Sequence, residues 1–392
     1  MNWVLVLVMY GLLVFGVFMI ESAARHLTVS KAAMDQFGSA GAYFASKQKS
    51  FILIGSIAYF TAAFVDYRWI RWLGIPFYLL SLGLMAVVMV TGQDKDVYQL
   101  TLPGGLVFQP AQLGIMTGIL MIAWLMQDLP KLHRWFGAPF IRIGIIGVVA
   151  AIPFLMVMKM GDMGSALVWI PVSIVALLIG GIPFRYLSCM TLIGVGMLPL
   201  LYFVALPLVS KRGPERIDTW LRMMEGREVD ILGDAYAPYY ISMAVGKAGW
   251  KGVGYKATVE NGGLLAKGFG SKTTAHNDYI FGVIGEELGF RGSLLLLTAF
   301  ALLMIQGLFI AFYSRDLTGR LLVCLVVALF FAHIFESIGM CVLIMPVTGI
   351  PLPLISYSGT FVVICMFLLG LVQSVWIHRN WKPEPKVKKA EA

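Results

Sequence analysis

An aspartate at position 278 stands where a polar stretch of the chain gives way to an apolar one. His276 and Asn277 precede it, and the run from Tyr279 to Ile284 predicts the start of a membrane helix. The dipole at a helix N-terminus favours an ionised carboxylate, and such an acid can accept a hydroxyl proton or bind a divalent cation. Asp is also a preferred N-cap residue. Asp278 is therefore a candidate base or cation ligand, with helix capping as the open alternative.

Further polar residues lie in or beside apolar stretches. Inserting a charged group into the centre of a membrane helix costs about 2.5–3.5 kcal/mol of free energy on insertion scales, so such groups usually have a function. Lys159 and Asp162 precede one apolar run, and Gln109 begins another. Glu286 and Glu287 lie deeper in the helix predicted after the aspartate, and adjacent helical residues point about 100° apart. One of them can face a cavity and the other a neighbouring helix, and a structural salt bridge explains the pair as well as catalysis does. The other polar residues of this kind are Glu21, Gln112, His333 and Glu336.

The segment 346–353 contains three prolines, which remove backbone N–H donors and rule out a continuous helix. At membrane depth, such a backbone must be buried in protein or line a wet cavity. We predict a structured extracytoplasmic loop that covers a cavity. A plain turn between two helices is the alternative.

The composition defines the elements that must position these residues. Of 392 residues, 59% are hydrophobic and only 13% are charged, and the mean hydropathy is +0.83. Soluble domains have about 25% charged residues, and disordered chains have low hydrophobicity, so both classes are excluded. The sequence predicts an all-α polytopic membrane protein with about ten transmembrane helices, because one spanning helix takes about 20 apolar residues.

The predicted spans are separated by short loops, except for one large extracytoplasmic loop at 209–277 between spans seven and eight. Within this loop, Ala235 to Val245 predicts an amphipathic helix lying on the membrane. Gly289 and Gly292 are expected to bend or shorten the eighth span. The ten spans are 2–22, 50–65, 71–91, 108–126, 141–157, 165–182, 186–208, 278–312, 319–345 and 356–377.

The short loops indicate the orientation. Lys and Arg are enriched in the loops on the side of the two termini, which predicts that both termini are cytoplasmic. The net charge of +9 is then explained by these loops and by anionic lipid, so no nucleic-acid partner is expected. The predicted organisation is helices one to seven over 1–208, the outer loop over 209–277, helices eight to ten over 278–380 and a basic cytoplasmic tail over 381–392.

Several segments together resemble the FtsW/RodA/SpoVE (SEDS) family of peptidoglycan polymerases. The most specific matches are Ala275–Phe290 (AHNDYIFGVIGEELGF) and Met345–Tyr357 (MPVTGIPLPLISY). Phe108–Pro110 and Asp162–Ser165 support them in the same order along the chain. The start at Ala275 and the segment Gly252–Gly254 resemble FtsW within the family. The likeness extends over nearly the whole chain.

The resemblance implies an inverting glycosyltransferase at the outer face of the bacterial cytoplasmic membrane. Its substrate would be lipid II, a disaccharide-pentapeptide on undecaprenyl diphosphate, and its partner a class B penicillin-binding protein. Asp278 falls on the family's essential Asp, and Arg216 matches a family Arg that could meet the diphosphate. A divalent cation, Mg or Mn, is expected, with Asp278 as a ligand, and no organic cofactor. The expected substrate-binding residues are Arg216, His276, Gln109, Asp162, Lys159, Glu286, Thr348 and Ser356.

The sequence also departs from the family pattern. The family's Glu and Lys after Gln-Pro are replaced by Gln112 and Ile115, so a carboxylate and an ammonium are lost together, as expected if they form a pair. The family's Gly near the proline-rich segment is Leu343, and its Asn before Ile-Gly-Met is Ser337. These changes keep two alternatives open: a lipid II flippase, and a catalytically weakened scaffold for the penicillin-binding protein.

Overall fold

The computed structural model describes residues 1–91, 100–102, 106–200, 212–233, 235–258, 260, 262–267 and 274–380. The end of the predicted seventh span, 201–208, and the predicted tail, 381–392, lie outside the described residues. The first half of the chain contains α1 Trp3–Ala23, α2 Lys31–Phe37, α3 Ala40–Phe64, α4 Ile70–Thr91, a hairpin of β1 Leu100–Leu102 and β2 Leu106–Phe108, α5 Pro110–Leu132, α6 Pro139–Lys159, α7 Met163–Leu167, α8 Trp169–Ile179 and α9 Phe184–Leu200. The second half contains α10 Arg212–Met224, α11 Tyr236–Lys247, α12 Ile280–Tyr313, α13 Leu317–Cys341 and α14 Gly359–Ile377.

The helices confirm an all-α polytopic membrane protein. Seven helices of the described chain are long and apolar enough to cross a membrane: α1, most of α4, α5, α6, α12, α13 and α14. The predicted number of ten spans stays a prediction, although a helix lies at each predicted position. The second predicted span begins ten residues early, at Ala40, and the sixth is divided at Val168, which keeps helical backbone angles.

One helix, α13, forms the centre of the bundle. In its apolar window 78% of residues are buried, compared with 28% in α6, which faces outward. The helices α3 and α14 form another close contact, because Gly370 of α14 lies against the backbone of Tyr59. A Cβ atom at Gly370 would meet the Tyr59 carbonyl oxygen at 2.4 Å.

The predicted outer loop contains two helices, α10 and α11, and α11 packs on α12. The predicted amphipathic helix is present as α11, and its buried face contacts protein: Ile241 lies against Gly282 and Val245 against Gly285. Side chains of ordinary size can approach α12 there because these two positions are glycines.

The helix α12 is broken at Gly289, as its glycines predicted. Gly289 has φ 66° and ψ −163°, a combination that only glycine adopts readily. The segment 249–254 fills the break: Phe290 N–H donates to the Gly249 carbonyl and Val253 N–H donates to the Glu286 carbonyl, both at 2.9 Å. The break therefore joins the outer loop to the helix that follows Asp278.

Candidate active site

Asp278 lies just before α12 and does not cap it. The N-cap residue is Tyr279, with no side-chain capping hydrogen bond. The Asp278 carboxylate has no hydrogen-bond partner among the described residues. The capping alternative is therefore wrong, and the carboxylate stands without a local structural role.

A second carboxylate, Asp162, lies within electrostatic range of Asp278. Asp162 is the N-cap of α7 and accepts from the Ser165 N–H at 3.0 Å. Gln109, which precedes α5, donates to its other oxygen at 2.8 Å. Gln112 donates to the Ser165 hydroxyl at 3.1 Å. The starts of α5 and α7 thus hold Asp162 in a fixed orientation.

Arg216 of α10 provides the opposing charge. Its guanidinium lies within electrostatic range of both Asp162 and Asp278, and it donates to the Val347 carbonyl at 3.4 Å. Removal from water raises the pKa of Asp278 to about 7; the charge of Asp162 adds to this rise and Arg216 opposes it. Burial also raises the pKa of Asp162. Two acids and one arginine converge here from three distant parts of the chain.

The proline-rich segment positions Asp278. Ser356 donates to the Asn277 carbonyl at 2.6 Å and accepts from the Leu352 N–H at 2.8 Å. Tyr357 N–H donates to the His276 carbonyl at 3.0 Å. The segment therefore holds the two residues before Asp278, as expected for a structured loop rather than a plain turn.

Thr348 is buried behind the site. Its hydroxyl donates to the Met340 sulfur at 3.7 Å. Its Cβ atom lies 2.9 Å from the position that a Cβ at Gly164 would take. Thr348 thus packs the proline-rich segment against α7, next to Asp162.

His276 is buried in an aromatic cluster. Its ring centroid lies 4.8 Å from that of Phe44 and 5.4 Å from that of Tyr357. Burial lowers the pKa of His276 to about 4, so the ring is neutral at pH 7. These contacts favour a packing role over direct contact with substrate.

Glu286 and Glu287 hold the outer loop rather than the site around Asp278. Glu286 accepts from the N–H groups of Leu264 and Leu265. Glu287 accepts from the Ser22 hydroxyl of α1 at 2.5 Å. The expected structural salt bridge does not form among the described residues, because backbone and hydroxyl donors take its place.

Lys159 is exposed at the end of α6. In the part of the chain that the structure describes, it forms no ion pair with Asp162. Hydrogen bonds or electrostatic interactions link four of the predicted residues: Gln109, Asp162, Arg216 and Asp278. Thr348 and Ser356 lie behind this group. Lys159, Glu286 and the His276 ring lie outside this group.

The residues are compatible with a divalent cation that is shared with a substrate. No group of three or more His, Cys, Asp or Glu side chains suited to a metal occurs among the described residues. Mg²⁺, however, is typically bound through one or two carboxylates together with substrate phosphates and water. Asp278, whose carboxylate has no partner among the residues that the structure describes, and Asp162 fit that pattern.

The sequence predicted a cavity under the proline-rich segment, but not the residues that line the cavity found beside Arg216. It has a volume of about 290 Å³ and is lined by Glu215, Arg216, Thr219, Trp220, Met223, Pro238, Leu343, Met345 and Val347. The signal for one wall was present, since positions 216, 219, 220 and 223 share one face of a helix. The opposite wall comes from a distant segment and has no local signal.

The fold and the site define a polytopic membrane protein in which two acids and an arginine lie beside a cavity. The loop between α13 and α14 covers this cavity. The family model described as cell cycle protein, FtsW/RodA/SpoVE, matches residues 2–381. The chain belongs to this family.

Relatives of known name include the "Probable peptidoglycan glycosyltransferase FtsW" of Geobacter metallireducens, 27% identical over 97% of this chain and 96% of that protein. The peptidoglycan glycosyltransferase MrdB of Escherichia coli is 29% identical over 77% of each chain. The fold resembles that of a chain from a peptidoglycan synthase complex that coordinates polymerization and crosslinking, with a TM-score of 0.75 and 23% identity over 97% of this chain and 99% of that one. It also resembles RodA of Thermus thermophilus, with a TM-score of 0.65 and 22% identity over 97% of this chain and 98% of that one.

Proposed function

We propose that this protein is a peptidoglycan glycosyltransferase that polymerises lipid II into glycan strands and releases undecaprenyl diphosphate. The observation that carries the proposal is the Asp278 carboxylate, which lacks a partner among the described residues and lies within range of Arg216 and Asp162. A partly buried acid without a structural partner costs stability, which function explains. The names of the relatives, which are peptidoglycan glycosyltransferases, support this substrate class.

The chemistry follows from the charges. The acceptor sugar hydroxyl attacks the anomeric carbon of the growing strand, its proton passes to Asp278, and a new C–O bond forms with inversion. The bond between the anomeric carbon and the diphosphate breaks, and the diphosphate keeps the electron pair. A base with a pKa of about 7 suits this step at neutral pH. Arg216 stabilises the charge that develops on the diphosphate.

In the alternative role, in which Asp278 is a cation ligand rather than the base, a divalent cation would be held by Asp278 and Asp162. When bound, it would neutralise charge on the leaving diphosphate. The chain's own residues then orient the reaction: Gln109 fixes one Asp162 oxygen, and Ser165 N–H fixes the other.

The two replaced family residues leave no orphan charge. Gln112 is buried and hydrogen-bonded to Ser165, and Ile115 is buried in the apolar core. Losing one member of a buried ion pair is costly, whereas replacing both can be neutral. The departure therefore supports an active enzyme over a weakened scaffold.

The proposal includes a location and a partner. A lipid-linked substrate and the enrichment of Lys and Arg in the loops on the side of the termini support a location in the cytoplasmic membrane, with both termini cytoplasmic. A class B penicillin-binding protein is the proposed partner, because one structural neighbour belongs to a complex that joins polymerization with crosslinking. Within the family, the Ala275 start favours a role in division.

The test is lipid II polymerisation by purified protein with Mg or Mn and a cognate class B penicillin-binding protein. Asp278→Asn should lower the rate by about 10²–10⁴-fold, the usual contribution of a general base. Asp128→Asn is the control, because among the described residues Asp128 pairs only with the exposed Lys131, at 2.6 Å. It should polymerise like the wild type.

The fold of Asp278→Asn should survive. Folding raises the pKa of this carboxyl above its usual value of about 3.9, so its contribution to stability falls as the pH rises from about 4 to 7. The variant should melt at the wild-type temperature or above at pH 7.5. If Asp278→Asn polymerises lipid II at the wild-type rate, the proposed role of Asp278 in the active site is refuted. No polymer from the wild type in an intact complex would leave a flippase or a scaffold.

A further inference from the structure

The cavity beside Arg216 combines an aromatic platform with polar groups. Trp220 is half-buried, and its indole N–H donates to the Leu343 carbonyl at 2.8 Å. That bond fixes the ring while the ring still lines the cavity. Glu215 and Thr219 add hydroxyl-binding groups beside it. A pyranose ring has one face of C–H groups and an edge of hydroxyls, so this lining matches a sugar.

The size of the cavity favours a single ring. Its volume of about 290 Å³ falls at the lower end of the range for small-molecule sites, about 300–1,000 Å³. Arg216 and Trp220 lie one turn apart on the same face of α10, where Cβ atoms are about 5–6 Å apart. A ring on Trp220 therefore lies directly beside a diphosphate held by Arg216.

The other wall contains a residue in an unusual conformation. Leu343 has φ 62°, in the left-handed region that costs a non-glycine residue free energy. Its carbonyl accepts from the Trp220 N–H, and Leu343 lines the cavity. Because the family has glycine at this position, a leucine in the left-handed region indicates that its side chain serves the cavity.

We propose that this cavity binds the sugar ring attached to the diphosphate of the lipid-linked substrate, with Trp220 as its stacking platform and Leu343 as the wall that limits its size. The proposal rests on the proposed function, because it takes the substrate class from there. It assigns a binding role to two residues outside the group around Asp278.

The test compares two ligands that differ only by the sugar. One is a short-chain prenyl diphosphate that carries the single sugar ring attached to the diphosphate in lipid II, and the other is the same prenyl diphosphate without that ring. Binding is measured by calorimetry in detergent, in the Asp278→Asn background to prevent turnover. Trp220→Ala should weaken binding of the sugar-bearing ligand about tenfold and leave binding of the prenyl diphosphate within about twofold.

Two further variants separate the platform from its fold. Trp220→Phe keeps an aromatic face but loses the N–H donor, and it should bind the sugar-bearing ligand within about threefold of the Trp220 protein. Leu343→Gly relieves the left-handed backbone and should melt at the same temperature or higher. It should nevertheless weaken only the sugar-bearing ligand. Leu221→Ala, on an exposed position of α10, should change neither ligand.

Equal weakening of both ligands by Trp220→Ala, or no weakening of either, would overturn the proposal. These outcomes are independent of polymerisation. If the wild type polymerises lipid II but Trp220→Ala does not change ligand binding, only the proposed sugar site is refuted. If Trp220→Ala weakens only the sugar-bearing ligand and the wild type does not polymerise lipid II, the sugar site is supported and the proposed glycosyltransferase activity is refuted.

Discussion

Two pairs of acids in this molecule differ in what surrounds them. Glu286 and Glu287 are each 3% exposed, and their carboxylates accept from donors of the outer loop and of α1. Asp278 has no donor among the described residues and is opposed by Asp162. Buried polar groups that serve the fold are hydrogen-bonded, whereas groups kept for chemistry stay available. Burial alone therefore does not identify the site, whereas the convergence of Asp278 with Asp162 and Arg216 does.

The largest effect that tests this comparison is the pH dependence. Because removal from water raises the pKa of Asp278 to about 7, the ionised base is lost below that value. The polymerisation rate should fall about tenfold per pH unit below 7. A pH–rate profile between 5 and 8.5 measures this. A profile that stays flat down to pH 5 would mean that Asp278 is not the base.

The second effect concerns the hydrogen-bonded pair. Glu286→Ala leaves the N–H groups of Leu264 and Leu265 without their acceptor, which should cost about 1–3 kcal/mol of stability. The melting temperature and the activity should fall together, since the loop detaches from α12. Glu286→Gln keeps an acceptor oxygen and should recover most of the stability. Activity lost at an unchanged melting temperature would place Glu286 in the chemistry instead.

The third effect lies at the edge of the candidate site. Gln109→Ala removes a donor to Asp162, and a hydrogen bond to a charged group contributes about 1.5–3 kcal/mol. The polymerisation rate should fall about tenfold or more. Gln127→Ala is a control, because Gln127 accepts from the Thr318 N–H in the first turn of α13, away from Asp162. If both variants lose activity equally, the loss reflects the fold.

The smallest effect is expected at Lys159. Its side chain is exposed and forms no ion pair with Asp162 among the described residues. Lys159→Ala should therefore change the polymerisation rate by less than about twofold, within the range of about 0.5 kcal/mol for surface substitutions. A loss of tenfold or more would restore Lys159 to the substrate-binding set.

Hydropathy and spacing were sufficient for much of the fold. They predicted an all-helical membrane protein, helices at the ten predicted positions, the helix near Tyr236 and the break at Gly289. These features depend on residues within one or two turns of each other. The early start of α3 at Ala40 was missed because its first ten residues carry charges, and helix formation there does not depend on membrane insertion.

Of the candidate site, the sequence by itself determined which residue types were present: an acid before an apolar helix, and polar groups at costly positions. Only the tertiary structure decided their roles. It brings Asp162 and Arg216, which are more than fifty residues away in the chain, close to Asp278. It also packs His276 in an aromatic cluster, lets Glu286 bind the outer loop and places Trp220 against Leu343. The physical reason is that periodicity and hydropathy are local properties, whereas the convergence and hydrogen bonding of side chains depend on how distant helices pack.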